Sequence, residues 1–386
     1  MQMIFTKQKS IRLFFLLSIV LASCKKEVAK TAVSTIPQTF DEIFVDFWGK
    51  MNYQYVYWNI DDTDWNLIYK HYRPIFQKLN NTDEDKIKAM SYFEEITSTL
   101  KDGHFSLLFH EGPLSGVVIN PSLNRKKKSV KYHSKYNYDD VVKNYLDPGY
   151  RSAKGSAVSK GELLSVTTGT INRGILYFHC NFFGLKNSYY SVSDSEVKET
   201  LNYFFSTIRE TSNLRGIILD LRGNGGGDIE DLDFLVGKLV NQDLVFGYSR
   251  SKNGMGKFDY LPWIESRLRK EANYQMDTSV MLLVDNFSAS LSEIIILALK
   301  SEKNLVIGEQ TYGATGPISD PSIFNSGTFN VGTFLTVNTS AVEFKDKNGA
   351  FYEGVGISPD IGAPFNFQGL ALRKDTQLEA AILQIK

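Results

Sequence analysis

The chain has 386 residues, 42% hydrophobic and 13% aromatic, enough to bury a large core. Lysine plus arginine and aspartate plus glutamate each number 43, so the formal net charge is zero, which argues against nucleic acid as the main partner. Two cysteines and five scattered histidines give no disulfide framework and no zinc spacing, and neither a metal nor a cofactor is expected.

Lys7, Lys9 and Arg12 make a basic start, and Ile11 to Leu21 is an apolar run too short to cross a bilayer. The run ends in Leu21-Ala22-Ser23-Cys24, which resembles a bacterial lipoprotein signal. That resemblance implies removal of residues 1–23 and lipidation of Cys24. It also implies an anchor in the outer membrane, on the periplasmic or the surface face, without a spanning helix. Residues 24–37 read as a flexible tether. With Cys24 lipidated, Cys180 has no partner, and its apolar setting from Gly174 to Phe183 marks it as a small core residue.

Residues 38–103 read as a helical N-terminal subdomain. Phe40 to Trp48 is amphipathic. Asp64 to Arg73 is a second helix, with Pro74 as its stop. Asp83 to Leu100 is a third, capped by Thr82 or Asp83, with Gly103 suited to its C-terminal end. Residues 104–172 suggest strands and long loops, and the basic run Arg125 to Lys128 reads as a solvated loop.

From residue 173 to 386 strands and helices alternate. Strands are expected at Ile175–His179, Gly216–Leu221, Val280–Asp285 and Leu305–Gly308. Helices are expected at Asp194–Glu210, Asp231–Val240 and Leu291–Lys300. This is an α/β pattern, a mainly parallel sheet covered by helices, and ligand sites in such sheets gather at the carboxyl ends of strands. Two motifs lie at such ends. One is the glycine loop Asp220-Leu221-Arg222-Gly223-Asn224-Gly225-Gly226-Gly227-Asp228, which lacks the endings of a phosphate-binding loop. The other is Ser288-Ala289-Ser290-Leu291-Ser292-Glu293.

Ser290 stands before a helix, where backbone N–H groups are unpaired and the dipole is positive. Ser290-x-x-Glu293 is also a capping box, and on this segment alone a cap is the simpler reading. The alternative is an activated nucleophile, with N–H donors for an oxyanion from Leu291 and from the glycine loop at Gly226.

The order of four segments separates these readings. Leu219 to Gly227, Ser288 to Glu293, Gly308-Glu309-Gln310-Thr311-Tyr312-Gly313 and Gly354-Val355-Gly356-Ile357-Ser358-Pro359-Asp360 resemble the tail-specific (C-terminal-processing) serine peptidases and the tricorn core. The resemblance implies a crotonase-like, ClpP-like peptidase core with Ser290 as nucleophile. In the C-terminal-processing branch a lysine follows the third segment; here that place is Ala314. In the tricorn-like branch the base is a histidine after the N-terminal helices, matched by His104, and a glutamate precedes the last segment, matched by Glu353. The serine that precedes the tricorn histidine is Gly103 here. The imidazole would take the serine proton, and the carboxylate would orient the imidazole or the network around it. On this reading Glu353→Gln is milder than loss of His104, and a lysine near Ala314 matters little.

The function so implied is a lipid-anchored serine endopeptidase acting on peptides or unfolded proteins. A non-catalytic peptide-binding envelope lipoprotein on the same scaffold is the competing class. An esterase or amidase is a third, set back by the absence of Gly-x-Ser-x-Gly around Ser290. No PDZ pattern is found in residues 105–172.

Overall fold

A computed structural model of the chain describes residues 36–385, except 212–213, 272–273, 275–277, 302 and 318–326. The signal, Cys24 and nearly all of the tether lie outside the described residues. Among these, no helix is long and apolar enough to cross a membrane.

The first helix, Phe40–Gln54, is opened by a capping box between Thr39 and Glu42 and buries Phe40, Ile43, Phe44, Phe47 and Met51 along one stripe. The second, Trp65–Phe76, runs through Pro74 instead of stopping before it. Pro74 removes only one amide, and the Gln77 N–H still reaches Arg73 O at 3.0 Å, so one closing turn survives. The third, Asp83–Thr97, is capped by Thr82 and ends three residues early. The released carbonyls of Ser98 and Leu100 are taken by the Arg125 guanidinium. Arg125 lies in a helix, Pro121–Lys127, opened by Asn120 and Pro121. The basic run is therefore not a solvated loop: Arg125 caps carbonyls, and Lys126 Nζ stands 4.6 Å from the Tyr312 ring centre.

These helices pack on a four-stranded antiparallel sheet. Its order is Thr328–Val331, Leu335–Asn338, Ser106–Phe109, Val118–Ile119. Half of that sheet comes from more than 200 residues downstream, so the N-terminal region is completed by the C-terminal one.

The central sheet has seven strands in the order Ile361–Gly362, Val306–Gly308, Ser279–Val284, Gly216–Asp220, Ile175–Cys180, Glu162–Ile171, Arg151–Ser159. The first five are parallel and the last two antiparallel. Side chains alternate across it. Leu176, Phe178 and Cys180 join the core under helices Ser195–Glu210 and Leu291–Leu299, while Ile175 and Tyr177 join the opposite core under Thr376–Leu383. The antiparallel pair is a hairpin whose two-residue turn, Lys160-Gly161, has both φ angles positive, the type I′ geometry. A boundary at 172/173 therefore falls inside the sheet, between strands that pair with one another. The segment 231–240, read as an α-helix, is a π-turn, Leu232–Val236, followed by a 3₁₀ turn, Gly237–Leu239. Gly237 lies so close to the Arg269 carbonyl that a Cβ would collide with it.

A third sheet orders Val342–Asp346, Leu244–Ser251 and Ile264–Leu268. The glycine loop leaves the carboxyl end of Gly216–Asp220, and the serine loop leaves that of its parallel neighbour Ser279–Val284.

Candidate active site

The serine loop and the glycine loop are sewn together. Asp285 Oδ1 accepts the amides of Phe287 at 2.9 Å and Ser288 at 3.1 Å, and that of Gly223 at 3.0 Å across the gap. Ser288 Oγ donates to Leu221 O at 2.8 Å, and Ser292 Oγ to Asn224 O at 2.9 Å. The Ala289 N–H donates to the same Asn224 carbonyl at 3.1 Å. Between these stitches Ser290 is forced to φ 57° and ψ −119°. A serine rarely adopts this conformation, and such strain persists only where the surroundings over-determine it. Helix Leu291–Leu299 follows at once. The Leu291 N–H has no protein partner among the described residues and stands free at the helix N-terminus.

Gly226 lies against Ser290. Its φ is +95°, and a Cβ there would stand 2.6 Å from Ser290 Cβ. The expected role of its amide is corrected by the structure: the Gly226 N–H is given to Asn224 Oδ1 at 2.9 Å. What Gly226 provides is space beside the serine. Among the described residues, the amides of Gly225 and Gly227 on either side have no protein partner.

Glu293 does more than cap. Its Oε2 accepts the Ser290 N–H at 3.2 Å, as a capping box requires. The same carboxylate accepts the amides of Gly313 and Ala314, each at 2.7 Å, and the Thr311 hydroxyl. Glu293 thus clamps the loop 311–314 to the serine turn. Burial pushes its pKa up, while those donors pull it down.

Glu353 clamps the other half of that loop. Its Oε2 accepts Thr315 N at 2.7 Å, Thr315 Oγ1 at 2.9 Å and Gly316 N at 3.0 Å, and its Oε1 accepts Gly103 N at 2.6 Å. Glu353 is 2% exposed. Burial, and then repulsion from Asp102, push its pKa up to about 8 against the pull of the donors. Gly103 is not a helix cap. Its missing Cβ would stand 2.5 Å from Gly313 O and 2.6 Å from Ala314 Cβ, so the chain before His104 packs directly on the place of the branch lysine.

His104 is half-buried, and burial lowers its pKa against the raising effect of Asp102. The imidazole is therefore neutral, and able to accept a proton, near pH 7. Asp102 accepts four donors: His104 N at 2.8 Å and Ser340 Oγ at 2.8 Å on Oδ1, Thr339 Oγ1 at 2.6 Å and Ser340 N at 2.7 Å on Oδ2. Ser340 Oγ is also 3.4 Å from His104 Nδ1. The Tyr57 hydroxyl lies beside this group, against Gly316 and Ser340 Oγ, and makes no hydrogen bond of ordinary geometry. Burial and the Glu353 and Asp102 carboxylates hold the Tyr57 pKa well above its usual value. No hydrogen bond joins Ser290 to His104 among the described residues. Their association is indirect, through Glu293, the 311–316 loop and Glu353.

Asp102, His104 and Glu353 bring potential metal-ligand atoms within 4.8 Å of one another. Both carboxylates, however, already accept four protein donors each, and a cation would have to displace them. The group is better read as a hydrogen-bond network. A cavity of about 560 Å³ opens elsewhere, lined by Lys135, Tyr138, His179, Arg222 and Gly223 and by none of Ser290, His104 or Glu353. Cys180 is buried, and burial pushes its thiol pKa up.

Asp102, Ser340 and Tyr57 were not legible as site residues. Only Asp102 left a local trace: Asp-x-His, with the carboxylate accepting the amide two residues on, is an Asx-turn.

Residues 175–363 match the model of peptidase family S41. A carboxy-terminal-processing protease of Bartonella bacilliformis is 27% identical over 153 residues, 39% of this chain and 31% of its own length. The tricorn protease of Thermoplasma acidophilum is 25% identical over 183 residues, 47% of this chain and 15% of its own. The chain thus matches about a third or less of these curated relatives. A solved structure described as a peptidase of Parabacteroides merdae superposes with a TM-score of 0.68 at 19% identity, covering 90% of this chain and 97% of that one, which speaks for the fold. The chain carries a peptidase family S41 domain.

Proposed function

We propose that this protein is a serine endopeptidase of the cell envelope, anchored through a lipid on Cys24, in which Ser290 attacks the peptide carbonyl and His104 is the general base. The observation that carries the proposal is the strained turn at Ser290, φ 57° and ψ −119°, at a helix N-terminus and against a glycine with no side chain. A strained strand-to-helix turn is how hydrolases expose a nucleophilic serine, and it has this form here without flanking glycines.

In the proposed reaction His104 takes the Ser290 proton as the Oγ–C bond forms. The tetrahedral oxyanion is received by the free Leu291 N–H and by an unpartnered amide of the glycine loop beside Gly226. The imidazolium then protonates the leaving amine. Water, deprotonated by the same imidazole, cleaves the acyl-enzyme. The lowered pKa of His104 keeps it ready for the first step. Glu293 and Glu353 hold the two halves of the site by their backbone, through one shared loop. The family match and the relatives named as proteases support peptides and unfolded proteins as substrates.

The test is reaction with a fluorophosphonate probe. The wild type should label stoichiometrically and Ser290→Ala should not, while purified wild type degrades casein. A wild type that neither labels nor turns over a broad peptide library points to the peptide-binding lipoprotein. Labelling with turnover of esters alone points to the esterase.

A further inference from the structure

We propose that Ser340, held by Asp102, is a positioning residue for His104, fixing the imidazole with the proton on Nδ1 and the lone pair on Nε2. The inference rests on the peptidase reading of Ser290 and His104, and concerns two side chains to which no role has been given.

The argument is a count of protons. Ser340 Oγ carries one, and beside the Tyr57 hydroxyl, which can donate as well as accept, it faces Asp102 Oδ1 at 2.8 Å, Gly316 O at 3.2 Å and His104 Nδ1 at 3.4 Å. The carboxylate is the nearest, and a charged acceptor makes the stronger bond. With the proton directed to Asp102, the oxygen presents lone pairs to Nδ1, so the contact forms only if Nδ1 is the donor. A neutral imidazole has a single N–H. Placing it on Nδ1 leaves Nε2 as the basic nitrogen, the tautomer that a general base requires. The 3.4 Å separation is long, as such contacts are before substrate binds, and closure of the site would shorten it.

The support behind Ser340 is rigid. Asp102 is held by four donors, and one of them is the backbone amide of His104 itself. Ring and main chain of His104 therefore refer to the same carboxylate. Asp102 follows the third N-terminal helix and Ser340 follows strand Leu335–Asn338, so the device exists only once the chain has folded across 238 residues. Glu353 makes no bond to the imidazole; its four donors are backbone amides and the Thr315 hydroxyl. The part of the third member of a triad, the orienting acceptor, falls to the Ser340–Asp102 pair.

A network that only braced the backbone would be indifferent to the tautomer, so the tautomer is the measurement. The ¹⁵N spectrum of histidine-labelled wild type, with the His104 signals assigned by their loss in His104→Ala, should show a protonated Nδ1 and an unprotonated Nε2. In Ser340→Ala the two tautomers should mix. Fluorophosphonate labelling of Ser290 should slow by roughly ten- to a hundredfold, part of the ~10²–10⁴ that a positioned base supplies. A proton on Nε2 in the wild type overturns the proposal, and so does wild-type labelling speed in Ser340→Ala. Should Ser340→Ala fail to fold, the wild-type spectrum still decides. Absence of labelling in the wild type would count against the peptidase reading, and the tautomer would then judge the positioning role by itself.

Discussion

Glu353→Gln tests the clamp most directly, because the structure reverses the expectation from sequence. Glutamine keeps the shape and one acceptor, and looks mild. Every contact of Glu353, however, is an acceptor contact: Gly103 N on one oxygen, Thr315 N, Thr315 Oγ1 and Gly316 N on the other. An amide nitrogen placed at Oε2 would face two backbone N–H groups. Placed at Oε1 it would face only Gly103 N–H, so that orientation wins. One buried donor, the Gly103 N–H, is then stranded, at a cost of about 1–3 kcal/mol. The protonated acid escapes this, since Thr315 Oγ1 can turn to accept its proton while the oxygens still accept.

The cost also depends on pH. The folded pKa of Glu353 is raised from 4.5 to about 8, so between these values the folded chain binds the extra proton. Wild-type stability from this group is fully present below about pH 4.5 and is lost as pH rises toward 8, by at most about 1.4 kcal/mol per pH unit. Glutamine does not titrate. The deficit of Glu353→Gln should therefore be largest near pH 5, shrink as pH rises and, at the full slope, reverse sign before pH 9. Urea unfolding of both proteins across that range measures it. A deficit that is absent at pH 5, or that does not change with pH, would refute the reasoning. Turnover at pH 7 should fall nearly as far as in His104→Ala, because Gly103 and the loop at 315–316 lose their common anchor.

Gly226→Ala should fold but lose nearly all probe labelling, since the new methyl meets Ser290 Cβ at 2.6 Å and the backbone there has φ +95°. Gly103→Ser, which restores the tricorn-like serine, should lower stability by about 1–3 kcal/mol without raising turnover, because its Cβ meets Gly313 O and Ala314. Thermal melts of Gly103→Ser at wild-type temperature would sink that idea. Arg222→Met should cost about 3–5 kcal/mol: Arg222 is fully buried between Asp220 at 2.6 Å and Asp375 at 2.8 Å, and removing it leaves two carboxylates unpaired. Denaturant titration reads the loss.

Local patterns carried the reading of the central sheet. Gly216–Asp220 and Ser279–Val284 lie within one residue of their expected limits, because strands buried on both faces read as unbroken apolar runs between breakers. The order of the glycine loop and Ser290 at two carboxyl ends followed from the same alternation. The N-terminal sheet was not legible: Ser106–Phe109 is too short to announce a strand, and its partner Leu335–Asn338 is 226–232 residues away. The hairpin 151–171 was visible as strands but not as part of the core, since pairing order leaves no local mark. At the site, the strand-to-helix alternation singled out the turn at Ser290, while His104 and Glu353 came only from the resemblance to the tricorn-like peptidases. Asp102 and Ser340 meet only through tertiary packing. Glu293 was seen as a cap because three residues of spacing suffice for that, whereas its bonds to 311–314 need the fold.

The packing at Ala314 bears on the proposal that His104 serves in place of the branch lysine, and it predicts that a lysine at this position cannot take over the role by itself. Ala314 is 2% exposed, its N–H is given to Glu293 Oε2, and its Cβ lies under Gly103. A lysine there must drive four more heavy atoms beyond Cβ through the backbone that carries His104. The ammonium would arrive among Glu293 and Glu353, whose oxygens are already bonded by amides and hydroxyls. Overpacking of this kind costs about 1–3 kcal/mol, and a buried charge without free acceptors adds to it. Ala314→Lys is thus expected to destabilise the protein and slow Ser290 labelling by shifting Gly103–His104, contrary to the neutral effect that the motif comparison suggests. The decisive variant is His104→Ala with Ala314→Lys. If the bridging loop is as closely packed as described, this double variant stays unlabelled and melts below His104→Ala alone. Recovery of labelling in it would mean that the loop yields, that a lysine can reach Ser290, and that Gly103 packing on Ala314 does not determine which base this site can use.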